Sequence, residues 1–281
     1  MYFFNKKIKA FIVVIAIMSL ICFISIATKS NEFKHEFYSK LIENRNPNIE
    51  LKVAILDSGI SPDLNLNLPI YRYNFTDSED GSDNTGHGTA ITNLIIETAQ
   101  LSSTNTKIYS LKVLDDKGYG KNESVIEAIE WAIKNKMNVI NISFGFKHEN
   151  EKLKQKIEEA INEGIIIIAS GGNTFGFSTE YPAAFENVIA VSALDGNKIA
   201  DYAAKDNIDY FTNGTNIHVD LGLDTRIESG SSIATARVTA LVILLLQNDN
   251  NLLNEKNVYY SLNKKLNKYA NLVEGNKFLE F

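Results

Sequence analysis

Between Ala234 and Leu246 the chain carries a nearly unbroken apolar run, Ala234-Thr235-Ala236-Arg237-Val238-Thr239-Ala240-Leu241-Val242-Ile243-Leu244-Leu245-Leu246. A helix of that composition has almost no face to offer to water, so it must be buried on most sides. The rest of the chain has to wrap it, and 281 residues are enough to build one large domain with a sizeable core. Small residues lead into the run: Glu228-Ser229-Gly230-Ser231-Ser232-Ile233. Glycine and serine there allow a close approach by backbone or ligand, and serine is a favoured helix N-cap. A serine at the mouth of a buried helix is therefore a cap or a nucleophile. The run alone leaves both open.

The sequence before it alternates two kinds of segment. Residues 51–56, 107–113, 138–144, 165–169 and 188–193 are rich in β-branched residues and predict buried strands. Residues 87–97, 124–136 and 150–163 have helical spacing, and a short helix is expected over 32–43. The Asn/Asp-rich stretch 61–86 reads as a loop. Continuous apolar strands alternating with amphipathic helices indicate an α/β fold: a single domain whose central, mainly parallel sheet has helices on both faces. In such sheets function gathers beyond the carboxyl ends of the strands. Asp57, Ser143 and Asn173 follow strands, and His87 opens a helix.

The N-terminus has a different character. Lys6, Lys7 and Lys9 precede an uncharged apolar stretch from Ala10 to Ala27, with small residues at Ser25 and Ala27. That pattern suits a signal peptide cleaved after Ala27, or an uncleaved signal anchor, and implies a secreted or membrane-anchored protein. The only cysteine, Cys22, lies inside this stretch, so the remaining domain, 28–281, has to fold without a disulfide. A net charge of −6 and the lack of a dense basic block argue against a nucleic-acid partner.

A serine hydroxyl is a weak nucleophile at neutral pH. It needs a histidine to take its proton, a carboxylate to orient that histidine, and donors to receive the oxyanion. The chain supplies one candidate for each role: Ser232, His87, Asp57, and the Ser232 N–H with the Asn173 side-chain amide. Taken singly, each has a structural explanation. Asp57 could end a strand in a turn and Asn173 could be a turn residue after Gly171-Gly172. His87 between Gly86 and Gly88 is harder to explain structurally, since glycines weaken a helix start.

The segments Ala54-Ile55-Leu56-Asp57-Ser58-Gly59-Ile60, Gly86-His87-Gly88-Thr89 and Gly230-Ser231-Ser232-Ile233-Ala234-Thr235-Ala236 together resemble the signatures of subtilisin-like serine proteases. Tyr109–Leu114, Glu130–Ala132, Val139–Gly145, Gly172-Asn173 and Tyr181–Ala183 follow in the family's order, and Gly275–Phe281 resembles its closing strand. The resemblance implies a peptide-bond hydrolase working through an acyl-enzyme, with Ser232 and not Ser231 as nucleophile. It also implies an extended substrate strand held between Ser143-Phe144-Gly145 and the segment around Gly118 and Gly120, and a cis bond before Pro182. A monomer acting on peptides or proteins, touching a membrane only through its N-terminal segment, is the corresponding expectation.

Several departures refine that picture. Only residues 28–56 separate Ala27 from Asp57, which is too short for the family's folding prodomain. The stretch Thr98–Thr106, where relatives insert a tight calcium loop, has no carboxylate, so that site is expected to be absent and no cofactor is required. Asp77, Glu79, Asp80 and Asp83 could bind calcium weakly, or form a solvated acidic loop. Glu180 stands where many relatives have a small neutral residue at the floor of the pocket for the residue before the scissile bond. A carboxylate there would select Arg or Lys; turned outward, it would select nothing. Ala236 replaces the family's usual proline. Small size and a basic-residue pocket resemble dedicated maturation proteases, such as those that remove lanthipeptide leaders. A general scavenging protease and a catalytically weak peptide-binding member are the alternatives.

Overall fold

The computed structural model describes residues 36–281 apart from Asn65, Asn67, 102–105 and Lys256. The apolar segment 10–27, and the first residues of the helix expected over 32–43, lie outside the described residues. The chain divides into two units. One holds the described helical residues 36–43 (α1) and Phe281, and the other spans residues 44–280.

The larger unit is built on one sheet. Its strands are β1 (Leu51–Asp57), β2 (Ile70–Asn74), β3 (Thr106–Lys112), β4 (Val139–Ile142), β5 (Ile166–Ser170), β6 (Ile189–Asp195), β7 (Lys198–Ile199), β8 (Tyr210–Asn213), β11 (Ala270–Val273) and β12 (Asn276–Leu279). The spatial order is β11-β12-β8-β6-β5-β4-β1-β3-β2, with β7 beside β6. Every pairing from β12 to β2 is parallel; β11 and β7 are antiparallel to their partners. A separate hairpin joins β9 (Ile217–Asp220) to β10 (Thr225–Glu228).

Strand periodicity decides where chemistry can occur. Ala54 and Leu56 of β1 share a core cluster with Val125 and Ile129 of α3 (Asn122–Lys134) and with Leu153 and Ile157 of α4 (Glu151–Asn162). The alternate residues Val53, Ile55 and Asp57 must face the opposite side. That side is covered by α2 (His87–Thr98) and α5 (Ser231–Asn248), which pack on each other and on the strands. Asp57 is thereby aimed at the two helices that begin with His87 and Ser231.

Helix α5 is the long apolar run of the sequence. It is apolar enough to cross a membrane, but 83% of it is buried within the protein, which makes it the core helix. Ser232, Arg237 and Asn248 are its only residues short of full burial. Ala236 is fully buried and the helix runs through it unbroken, as alanine allows.

The predicted strands are found with their ends within two residues of expectation. The strand expected over 138–144 stops at Ile142, which frees Ser143–Gly145 from pairing. The expected loop 61–86 contains the edge strand β2. Its Ile-Tyr-Arg-Tyr-Asn sequence gives no strand signal because, lying at the edge, it is mostly exposed and carries no buried apolar face. Because α5 is packed on all sides, Leu244→Ala is expected to cost about 2–5 kcal/mol, read as a lower urea midpoint with an unchanged slope.

Candidate active site

Asp57 ends β1 and is 1% exposed. Its Oδ1 lies 2.7 Å from His87 Nδ1 and accepts the Ser58 N–H at 2.8 Å. Its carbonyl accepts the N–H groups of Val113 (2.8 Å) and Leu114 (3.1 Å), so the strand end is pinned by the segment that follows β3. His87 is the first residue of α2, with its side chain 37% exposed.

The two glycines around His87 have separate causes. Gly86 takes φ +81° at the helix start. A Cβ on Gly88 would lie 2.3 Å from Gly59 O and 3.2 Å from the Asp57 Cβ, so only glycine lets the strand end and helix start meet. The Gly88 N–H donates to Ser58 Oγ at 2.9 Å, closing that contact.

Asp83 holds the chain leading into His87, a role its sequence did not disclose. Its carboxylate accepts from Ser58 Oγ (2.9 Å), Thr85 N (3.0 Å), Thr85 Oγ1 (3.0 Å), Gly86 N (2.9 Å), Thr89 N (2.8 Å) and Thr89 Oγ1 (2.7 Å). Burial pushes its pKa up, but the bonds from Thr89, Ser58 and Thr85 outweigh that and leave it below the usual carboxylate value. Asp83 is therefore not part of a solvated acidic loop. The only available signal was its position four residues before the histidine. Asp77 pairs with Lys121 at 2.7 Å, and Asp80 accepts the Ser82 N–H at 2.8 Å. Among the described residues no group of three or more His, Cys, Asp or Glu side chains is arranged to hold a metal ion.

At α5 the structure separates the two serines. Gly230 occupies the N-cap and no side chain of the helix caps it. The Ser231 N–H is taken instead by Asn173 Oδ1 at 2.9 Å, across from the end of β5. Ser231 is fully buried, its Oγ donating to Gly172 O at 2.9 Å and lying 3.2 Å from Ser192 Oγ. Ser232 is half-buried. A Cβ on Gly230 would sit 3.1 Å from Ser232 Oγ and 3.3 Å from Asn173 Nδ2, so these two polar atoms border one small space that glycine keeps open. Neither serine is a cap.

Asn173 Oδ1 is thus committed to the protein, which leaves Nδ2 as the donor facing Ser232. Among the described residues the His87 ring bonds to Asp57 and not to Ser232. Such links commonly tighten only when substrate binds. Ser143 is buried, its Oγ accepting from Asn141 Nδ2 at 2.8 Å. Phe144 and Gly145 continue without strand partners until Phe146, which bridges to Tyr181. The Tyr181–Pro182 bond is cis. Gly118 and Gly120 lie in a turn closed by the Leu114–Gly120 bridge, where a Cβ on Gly120 would sit 3.7 Å from the Phe146 ring.

Glu180 faces inward. A Cβ on Gly145 would lie 2.7 Å from its Oε2, and one on Gly172 2.5 Å from it, so the carboxylate is wedged between the two glycine backbones. It lines a cavity of about 410 Å³ with Lys147, Asn173, Phe175, Phe177 and Thr179. Burial raises its pKa, and the Lys147 charge partly offsets this.

For the His87 ring, burial works against the charged form, but the Asp57 charge and hydrogen bond outweigh it, with Asp83 and Glu228 adding to the same side. The ring pKa is therefore raised, and Glu228, four residues before Ser232, is a second residue whose part was not legible in the sequence.

Residues 48–276 match the profile of the Subtilase family. The chain is 32% identical over 210 residues to the minor extracellular protease Epr of Bacillus subtilis, covering 71% of this chain and 32% of that protein. It is also 32% identical over 213 residues to an alkaline protease of Alkalihalobacillus alcalophilus, covering 70% and 54%. The chain thus spans about a third to just over half the length of these curated relatives. The crystal structure of a cold adapted subtilisin-like serine proteinase superposes with a TM-score of 0.71 at 24% identity, over 84% of this chain and 91% of that one.

Two outcomes follow from this geometry. A fluorophosphonate probe should label the wild type and Ser231→Ala but not Ser232→Ala, with Ser231→Ala lowering stability by about 1–3 kcal/mol for its lost buried bonds. With His87 as the general base, which must be neutral to act, kcat/KM should fall as pH drops through the raised His87 pKa. Glu228→Gln, by removing one cause of the rise, should move that acid limb to lower pH in a pH–rate profile.

Proposed function

The chain belongs to the subtilase family, and from that premise we propose that it is a serine endopeptidase acting outside the cytoplasm. Ser232 Oγ attacks the scissile carbonyl while His87 Nε2 takes its proton. Asp57 holds the opposite ring nitrogen and stabilises the imidazolium. The oxyanion receives the Ser232 N–H and Asn173 Nδ2. His87 then returns the proton to the leaving amine, and water repeats the sequence on the acyl-enzyme. The observation that carries this reading is the part-buried Asp57–His87 bond of 2.7 Å, set at the sheet end beside the half-buried Ser232. The extracellular relative in Bacillus subtilis and the apolar segment 10–27 support the location.

Within that activity, Glu180 favours a basic residue before the cleaved bond. A carboxylate wedged between two glycine backbones has lost part of its hydration, and a charge-assisted pair with an incoming cation offsets that loss. Arginine fits better than lysine, because its fork can engage both carboxylate oxygens. Lys147, exposed on the rim of the same cavity, is the internal competitor for that charge. Selectivity of this kind suits an enzyme that matures particular peptides more than one that scavenges protein at large.

Peptide-library profiling checks the assignment. Arginine before the cleaved bond should dominate, Glu180→Gln should reduce its advantage by about tenfold to a hundredfold, and the advantage should fade as pH drops through the raised Glu180 pKa. A preference for leucine or aromatic residues, untouched by Glu180→Gln, would refute it.

A further inference from the structure

One fully buried ammonium takes no part in the chemistry above. Lys112, the last residue of β3, is wholly buried and stands opposite Asp57 in the β1–β3 register. Its Nζ donates to Ser58 O at 2.8 Å and to Ser82 O at 2.9 Å, and lies 3.0 Å from Asp116 Oδ1.

Each of these partners belongs to a different part of the site. Ser58 follows Asp57, and its hydroxyl reaches both Asp57 Oδ1 (3.2 Å) and Asp83 Oδ1 (2.9 Å). Ser82 precedes Asp83, the carboxylate that fixes the approach to His87. Asp116 lies in the loop that ends at Gly120, beside the expected substrate strand, where it also accepts from Ser78 Oγ at 3.1 Å.

Burying a cation costs several kcal/mol unless its donors are matched. An apolar side chain of the same length would pack β3 against its neighbours without that cost. An ammonium has three donors, and here they meet two carbonyls and a carboxylate drawn from three chain segments. What the charge adds over an apolar side chain is a fixed relation among those segments.

We propose that Lys112 is a positioning residue of the active site, whose ammonium ties the Asp57-Ser58 turn, the 82–86 approach to His87 and the substrate-flanking loop 115–120 into one unit. Through Ser58, Ser82 and Asp116, the binding of a peptide against that loop sets the geometry of the Asp57–His87 pair. Lys112 itself touches no substrate. The role rests on the serine-protease reading.

The test compares wild type, Lys112→Met and Asp116→Asn. Reactive sites are counted with a fluorophosphonate, kcat and KM are measured per titrated site on an extended peptide and on a single-residue ester, and Tm is recorded alongside. Lys112→Met should lower kcat per site by about tenfold or more on both substrates, with a smaller change in KM. Asp116→Asn leaves the two carbonyl bonds of Lys112 in place and should raise KM severalfold for the extended peptide but not for the ester. A purely structural role would lower Tm and the number of titratable sites while leaving kcat and KM per site at wild-type values, and that result overturns the proposal. If Lys112→Met yields no folded protein, Asp116→Asn decides: an unchanged KM for the extended peptide overturns it. A wild type with no titratable site defeats the serine-protease reading, and the role of Lys112 falls with it.

Discussion

A carboxylate at the end of a strand buried on both faces has to be compensated, and most of the site is the means of doing so. Asp57 is carried to the edge of the core by β1, whose alternate residues Ala54 and Leu56 are committed to the helices of the other face. Its Oδ1 is met by the Ser58 N–H and hydroxyl and by the His87 ring, while the buried Oδ2 has no hydrogen-bond partner among the described residues; the ammonium of Lys112 bonds the carbonyl of the next residue, Ser58. Buried charges persist only when paired and hydrogen-bonded. Asp83 extends the same logic to the chain before His87, where six donors converge on one carboxylate. The histidine ring is thus held by Asp57 and its approach by Asp83, and its raised pKa is the electrostatic trace of that arrangement.

The second organising element is α5. Because it is buried almost all round, its start cannot be left to water, yet its N-cap is glycine. The Asn173 side chain from the end of β5 satisfies the first donor instead. One bond therefore does two things: it completes the helix, and it orients an amide whose other end faces Ser232. A local cap from serine would have satisfied the helix and left the amide unaligned.

How much of this was legible depended on whether a residue's role is local. Strands β1, β3, β4, β5 and β6 were readable because burial on both faces leaves continuous β-branched runs. Asp57, His87 and Ser232 stood out as candidates because each sits in a short motif with a glycine nearby, and the contact of Gly88 with Gly59 gives the physical reason for two of those glycines. Edge strand β2 was not, since an exposed strand needs no apolar periodicity, and the alternation Ile217, Val219, Leu221 along β9 and just past it, which packs on Ala90, is too short to stand out. Asp83, Lys112 and Glu228 were hidden for a different reason. Their partners lie on other segments, and a charge says nothing in sequence about what it will meet. Glu180 was visible as an oddity, but only the packing of Gly145 and Gly172 gives its direction.

The early end of β4 has a consequence for the kind of molecule this site can use. Ser143–Gly145 leave the sheet without strand partners, and in the proposed activity an extended substrate fills the space beside them. A chain that fills that space must present its own donors and acceptors in extended form, which means surrendering whatever structure it had. Helices and paired strands are thereby passed over, and tails, linkers and unfolded precursors are favoured. Disorder in the partner is the first filter, applied before any side chain reaches a pocket.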